Sequence, residues 1–393
     1  MISITDLHKT WGTDNYHTHA ILQGWDTFTC YEAVDEQLAT YTAELYKQTP
    51  DKVVQEVFDI YRSINIVPIN YYTETGLKAA IRDLDHTVAN GVDTVSKVAT
   101  IPWVPVDPRL PLGNNQGQSI NRFVFPNMMT AEPKGRGSNS LRDRFYNDNK
   151  LERAIRLCFD HRDGNNLVSP TAVRRALELV SGENVQNFKP LNARAIVEYL
   201  CPALWGNVYD YSAGYGGRLL GITTSKLRYN YTGIDPNTET VGYLNYLNDL
   251  IYDVTGNRGT IIQNVSEEYI PEEVDLAFSS PPYFNLEKYC DEPTQCMNRY
   301  TTLDEWFEGY VVPTMCNIHK GLNADGIFAT NIADYKSYGN KEYAVVERWI
   351  ATAEKLGFKH KQTIKMMLNT RPGVGNDKTK GREKWEGVYV FTK

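Results

Sequence analysis

From residue 188 onward the apolar positions of the chain follow two periods in turn. Short strand-like stretches, of which 274–278 is continuously apolar apart from Asp275, alternate with longer apolar-faced stretches, which read as helices. The pattern predicts strands at 207–211, 229–234, 259–263, 274–278, 326–332, 359–367 and 387–392, with helices at 192–200, 238–255, 303–319 and 342–356. Strand alternating with helix predicts a doubly wound α/β sheet, mostly parallel and seven-stranded. The last two strands are joined by a loop alone, so the final strand is expected to run antiparallel to its predecessor.

The first half has another rhythm. Helical spacing predicts elements at 32–47, 52–64 and 74–89, in a tyrosine-rich stretch where His8, His17 and His19 are scattered as surface residues are. Pro102, Pro105, Pro108 and Pro111 recur every third residue, which predicts an extended connector. Residues 113–149 lack periodicity but set Arg122, Lys134, Arg136, Arg142 and Arg144 beside Phe123, Phe125, Phe145 and Tyr146. Such a mixture offers charge for phosphates and rings for bases, or equally a solvated loop anchored by its aromatics. Helices at 150–158 and 170–180 follow, the second carrying Arg174 and Arg175 as an extension of the basic face. The expected division is a mainly helical region over 1–112, a basic and aromatic connector over 113–187 that is a candidate for substrate recognition, and a catalytic domain over 188–393.

Composition sets outer bounds. The chain has 393 residues, 41% hydrophobic and 23% charged, which is ordinary for a globular protein large enough for two domains. No apolar run approaches a bilayer span and the polar start lacks the regions of a signal peptide, so a cytoplasmic protein with no membrane partner is expected. Six cysteines without a C-x-x-C pair indicate neither a metal site nor a disulfide framework. The net charge of -7 excludes a globally basic nucleic-acid binder and leaves room for a local basic face.

Two stretches carry chemistry. The fourth predicted strand of the second half, 274–278, runs into Ser280-Pro281-Pro282-Tyr283. Ligands in open α/β sheets bind at the carboxyl ends of strands, and two consecutive prolines remove amide donors while fixing the carbonyls of Ser280 and Pro281 as acceptors. A hydroxyl, a rigid carbonyl and an aromatic face suit a planar NH2 group and the ring that bears it. The second stretch, Ser212-Ala213-Gly214-Tyr215-Gly216-Gly217-Arg218, lies between strand and helix. Its glycines let backbone approach a cofactor closely. The next strand ends about twenty residues on at Asp235, where a carboxylate binds a ribose diol, and the third ends at Asn264.

Together these residues resemble the amino-group methyltransferases that modify exocyclic nitrogens of DNA bases with S-adenosylmethionine. The tail after S-P-P-Y, with Phe284, Asn285, Tyr289, Asp291 and Gln295, also resembles methyltransferases carried by phages and mobile elements. The resemblance spans about 188–393 and implies a Rossmann-like class I methyltransferase domain, DNA as partner and a role in modification or in evading restriction. It implies a cofactor loop from Asp210 through Ser212, Ala213, Gly214 and Gly216, with Asp235 on the ribose, Asn264 near the adenine and Phe188 in a segment closing over the methionine end. Ser280 to Tyr283 would then act on the amine, with Phe284, Asn285 and Tyr289 shaping the base pocket. Serine occupies the position that is acidic in many adenine-N6 enzymes, and S-P-P-Y follows the glycine loop rather than preceding it, so adenine N6 and cytosine N4 both remain open. RNA base methylation and a noncatalytic DNA-binding subunit are the rival readings. The glycine-rich loop 371–385 carries Lys378, Lys380 and Arg382, expected to meet phosphates from above the catalytic face.

Overall fold

A computed structural model describes residues 2–11, 36–65, 67–95, 105–111, 113, 115–134, 138–160, 166–181, 184–201, 203, 205–337, 341–368 and 384–393. The chain divides into two compact units: Met1–Ala79 with Ser119–Gln186 and Glu287–Tyr289, and Ala80–Gln118 with Asn187–Leu286 and Cys290–Lys393.

The first unit is helical. The helix expected over 32–47 is interrupted: Thr42 sits in an extended conformation and its hydroxyl accepts Leu45 N–H, so a fresh helix starts at Ala43–Gln48. Pro50–Ile64, Asp148–Asp160 and Pro170–Ser181 are strongly amphipathic and bury Val53, Val57, Ile155, Val173 and Leu177. The stretch over 113–149 is not a loop. It forms helices at Gln118–Val124 and Leu141–Tyr146, and Phe123, Phe125 and Phe145 are fully buried core rather than a platform for bases. Arg144 is equally buried and donates from Nε and Nη2 to the Asn139 carbonyl.

The second unit is built on one sheet. Its strands are β1 (Asp93–Val95), β2 (Pro105–Leu110), β3 (Trp205–Asp210), β4 (Arg228–Asp235), β5 (Thr260–Gln263), β6 (Val274–Ser279), β7 (Leu322–Asn331), β10 (Lys359–Met367) and β11 (Trp385–Thr392); β8 (Tyr335–Lys336) and β9 (Glu342–Tyr343) form a separate hairpin. The order is β1-β2-β10-β11-β7-β6-β3-β4-β5. From β5 to β10 this is a doubly wound, Rossmann-like fold, parallel except that β11 runs antiparallel to both β10 and β7. The proline-spaced segment departs from expectation. Over Pro105–Leu110 it is a strand and not a connector, pairing parallel to β10 with Arg109 opposite Lys365, so the sheet has nine strands rather than seven.

Helical spacing over 303–319 meets Pro313, which has no N–H for the Gly309 carbonyl. The chain answers with a helix at Leu303–Trp306, a π turn at Phe307–Val311 and a helix at Val312–Gly321, and Tyr300 OH takes the freed Gly309 carbonyl at 2.8 Å. Likewise, the helix expected from 342 begins at Val346, where Asp334 Oδ1 accepts the N–H groups of Val345 and Val346 at 2.8 and 3.0 Å. The residues before it pair with β8 instead. Among the described residues no helix is long and apolar enough to cross a membrane.

Candidate active site

Strand order fixes where the crevice lies. The chain proceeds outward from β3 to β4 to β5 and then returns to β6 on the other side of β3, so the carboxyl ends of β3 and β6 flank a topological switch point. Both chemical stretches of the sequence leave the sheet there.

Asp210 ends β3 and is fully buried. Its carboxylate accepts Arg218 Nε at 2.8 Å, Tyr231 OH at 2.8 Å and Ser279 Oγ at 2.6 Å. A buried charge this well paired is an anchor for the loop, and its side chain is committed to protein partners. Arg218 also donates to the Ser212 carbonyl and lies 5.6 Å from the centre of the Phe188 ring. Gly214 and Gly216 have φ of +53° and +69°, the left-handed region that disfavours any side chain. A Cβ on Gly217 or on Gly221 would come within 2.0 Å of the Phe188 or the Pro190 carbonyl, so these glycines let the 188–190 segment lie directly on the helix Gly217–Thr223. Phe188 itself is half-buried and meets Phe278 edge-on at 5.6 Å. Ser212 Oγ lies 3.2 Å from Tyr310 OH, while Ala213 is buried and donates its N–H to the Ile234 carbonyl at 2.8 Å.

Asp235 ends β4 with 9% of its surface exposed. Oδ2 accepts Gly214 N–H at 2.9 Å and Oδ1 accepts Asn237 N–H at 3.0 Å, so the carboxylate joins the glycine loop to the start of the helix Thr238–Thr255. Burial pushes its pKa up to about 6, and the two backbone bonds only partly oppose the shift. Asn264 follows β5; its N–H donates to the Asp235 carbonyl at 3.2 Å and its Oδ1 accepts Val265 N–H at 2.8 Å.

Beyond β6, Ser280 is half-buried, Pro281 is buried, and Pro282 and Tyr283 are half-buried. The ring of Tyr283 stacks on Tyr335 at 5.2 Å with planes 14° apart, and Tyr335 stacks in the same way on Tyr343. Tyr283 OH accepts Ala333 N–H at 3.1 Å. Asn285 clasps this column: its Nδ2 donates to Tyr343 OH at 2.8 Å and its Oδ1 accepts Tyr335 OH at 3.0 Å. Of the residues expected to shape a base pocket, Phe284 is therefore core and Asn285 faces tyrosine hydroxyls. Tyr289 packs with the helical unit, where Lys288 and Glu132 exchange backbone hydrogen bonds, and its OH donates to Glu287 Oε2 at 2.6 Å. Burial lifts Glu287 to about 7. Lys378, Lys380 and Arg382 lie outside the described residues.

Sequence reasoning missed Ser279, Tyr231, Tyr310, Tyr335 and Tyr343. Ser279 is the one with a readable signal, as the hydroxyl directly before S-P-P-Y at a strand end.

No known family pattern matches the chain, and no curated protein does. Similar solved structures include a TehB-like SAM-dependent methyltransferase from Corynebacterium glutamicum, 16% identical, covering 57% of this chain and 96% of that one with a TM-score of 0.33. A methyltransferase from Pyrococcus furiosus is 13% identical over 56% of this chain and 93% of its own, TM-score 0.35. Magnesium protoporphyrin IX methyltransferase from Synechocystis with bound SAM is 14% identical over 52% and 79%, TM-score 0.34. At these values the fold assignment rests on the strand order itself.

Proposed function

We propose that the chain transfers a methyl group from S-adenosylmethionine to an exocyclic amino group of a DNA base, adenine N6 or cytosine N4. The observation that carries this reading is the join between the two motifs. The glycine loop leaves β3 and S-P-P-Y leaves β6, these strands are hydrogen-bonded neighbours, and Ser279 Oγ bonds Asp210 at 2.6 Å. That proximity supports a cofactor cradle and an amine acceptor working on one crevice.

The donor set also fits the cofactor. An ionised carboxylate has about four lone-pair positions, of which Asp235 uses two on backbone N–H groups, leaving acceptors for a ribose diol. A Cβ on Gly214 would meet nothing nearer than the Ser212 carbonyl at 3.8 Å, so the loop backbone is open to a ligand there. Bound in this cradle, S-adenosylmethionine would supply an electrophilic methyl on a sulfonium centre.

The residues of the chain then have defined tasks. An exocyclic amine is a weak nucleophile because its lone pair is delocalised into the ring. Ser280 Oγ and the Pro281 carbonyl accept its two hydrogens and favour the tetrahedral nitrogen as positive charge develops. The nitrogen gains a methyl and releases a proton, which serine passes to water because it has no carboxylate to hold it. A base inside a duplex must leave the stack to reach this point, and Tyr283 offers it a face.

Mass spectrometry of nucleosides from DNA and RNA of cells expressing the protein tests the reading. N6-methyladenine or N4-methylcytosine in DNA is expected, absent with Ser280→Ala. Methylated bases in RNA alone would move the substrate to RNA, and no new base with intact binding of S-adenosylhomocysteine would leave a noncatalytic subunit.

A further inference from the structure

We propose that Tyr310 is a positioning residue for the cofactor: through Ser212 Oγ it holds an acceptor for the ammonium group at the methionine end of S-adenosylmethionine. This inference rests on the S-adenosylmethionine-dependent function proposed above and is independent of which base is methylated.

The break in the helix that follows S-P-P-Y puts Tyr310 in place. Residue 310 lies in the π turn Phe307–Val311, between the helices Leu303–Trp306 and Val312–Gly321. A π turn carries one residue more than an α turn, and such turns recur at functional sites. The Tyr310 ring stacks on Trp306 at 5.9 Å with planes 24° apart, and both residues are buried. So held, its hydroxyl lies 3.2 Å from Ser212 Oγ in the glycine loop, 98 positions earlier in the chain.

Counting hydrogens gives this bond its direction. A serine hydroxyl has one hydrogen and two acceptor positions. Ser212 Oγ gives its hydrogen to the Tyr211 carbonyl at 2.7 Å, so Tyr310 OH is the donor to Ser212. Burial holds Tyr310 well above the ordinary tyrosine pKa, and the donor keeps its proton at neutral pH. One acceptor position of Ser212 Oγ then has no donor among the described residues. The Ser212 carbonyl, by contrast, is taken by Arg218 and by Ser279 Oγ.

Ser212 also stands where the methionine end would pass. Its carbonyl lies 3.4 Å from Ser279 Oγ at the end of β6, whereas Asp235 grips the β4 side of the loop through Gly214 N–H. A cofactor with its ribose on Asp235 and its methyl turned toward Ser280 would carry its sulfonium between those points, and the methionine chain leaves from the sulfonium. Apart from the adenine amine and the ribose hydroxyls, the ammonium is the cofactor's one hydrogen-bond donor of this kind. A positioned oxygen with an open acceptor matches it, and the charge strengthens the bond.

Calorimetric titration with S-adenosylhomocysteine and with methylthioadenosine, which lacks the amino-acid end, tests the assignment. Tyr310→Phe keeps the stacked ring and removes the donor, Ser212→Ala removes the acceptor, and thermal melting establishes that each variant is folded. Tyr310→Phe should raise the Kd for S-adenosylhomocysteine about 2- to 12-fold, as for one lost hydrogen bond, and leave that for methylthioadenosine unchanged. Ser212→Ala should raise the first roughly 10- to 150-fold with the same selectivity. Adding Tyr310→Phe to it should change nothing further, because the tyrosine acts through the serine. Equal losses for the two ligands, losses for neither, or additive effects of the two substitutions would overturn this assignment alone. A wild-type protein that binds neither ligand would overturn the cofactor reading together with it.

Discussion

Lowering the pH through 6 should release S-adenosylhomocysteine from the wild-type protein, while an Asp235→Asn variant should bind weakly and without pH dependence. The cause is the buried carboxyl at the end of β4, raised from 3.8 to about 6 chiefly by burial. The sign differs between stability and binding. With its folded pKa raised, Asp235 contributes most to stability below its unfolded value, and that contribution is lost as pH rises through 6. Ribose hydroxyls need the ionised form as acceptor, so binding runs the other way. If only the ionised fraction binds, the apparent Kd rises about tenfold by pH 5 and about a hundredfold by pH 4. Replacing the carboxylate removes a charge-assisted bond of about 1.5–3 kcal/mol, or roughly 10- to 150-fold in Kd at pH 7.5. The amide NH2 would also face one of the N–H groups of Gly214 and Asn237 that now donate to the carboxylate at 2.9 and 3.0 Å. Calorimetric titration from pH 4.5 to 8 reads both effects, with circular dichroism to follow the fold. A wild-type affinity that is flat between pH 8 and 5, or a variant with the same pH profile as the wild type, would refute the assignment of Asp235 to the ribose.

Tyr283→Ala should lower methyl transfer by the ~1–3 kcal/mol of a lost base-stacking ring and leave S-adenosylhomocysteine binding intact, whereas Tyr283→Phe, which keeps the ring and frees the Ala333 N–H, should retain most of the rate; wild-type rates in the alanine variant would make the ring mere packing. Asn285→Ala removes the donor to Tyr343 OH and the acceptor of Tyr335 OH and should cost about 1–3 kcal/mol of stability, part of which returns in the double variant with Tyr343→Phe. Additive losses in melting experiments would show that the clasp is not a unit. Glu287, lifted to about 7 by burial, loses its stabilising contribution as pH rises through that value, so Glu287→Gln should raise Tm at pH 8 and have no such effect near pH 4.5.

The parallel core was legible because strand and helix patterns alternate along it, most clearly at the nearly continuous apolar run 274–278, and the acidic, glycine and S-P-P-Y positions fall at strand ends. What escaped the sequence depended on tertiary placement. Interleaved arginines and phenylalanines at 122–146 do not reveal which way the rings point, and Phe123, Phe125 and Phe145 point inward. Asn285 gives no local sign that it will meet Tyr335 and Tyr343, fifty and fifty-eight positions away. Glu342 and Tyr343 continue the composition of the helix behind them, and the sequence pattern includes them in it. Their pairing with Lys336 and Tyr335 decides otherwise. The prolines of 102–111 argue against a central strand, and β2 is tolerated because its register with β10 is at Arg109 and Leu110, clear of Pro105 and Pro108.

That strand also sets an order of events during synthesis. Arg109 pairs with Lys365, 256 positions later (365 − 109), so β2 leaves the ribosome long before the strand it will join. At ~5–20 residues per second the wait is on the order of ten to fifty seconds. Met1–Ala79 of the helical unit is made before β2, and the remaining segments, Ser119–Gln186 and Glu287–Tyr289, are made within that interval, so the unit can close first. A waiting strand is a template for pairing with other nascent chains. Pro105 and Pro108 remove two of its amide donors, so the same residues that disguise β2 as a connector keep it from recruiting a stranger before β10 arrives.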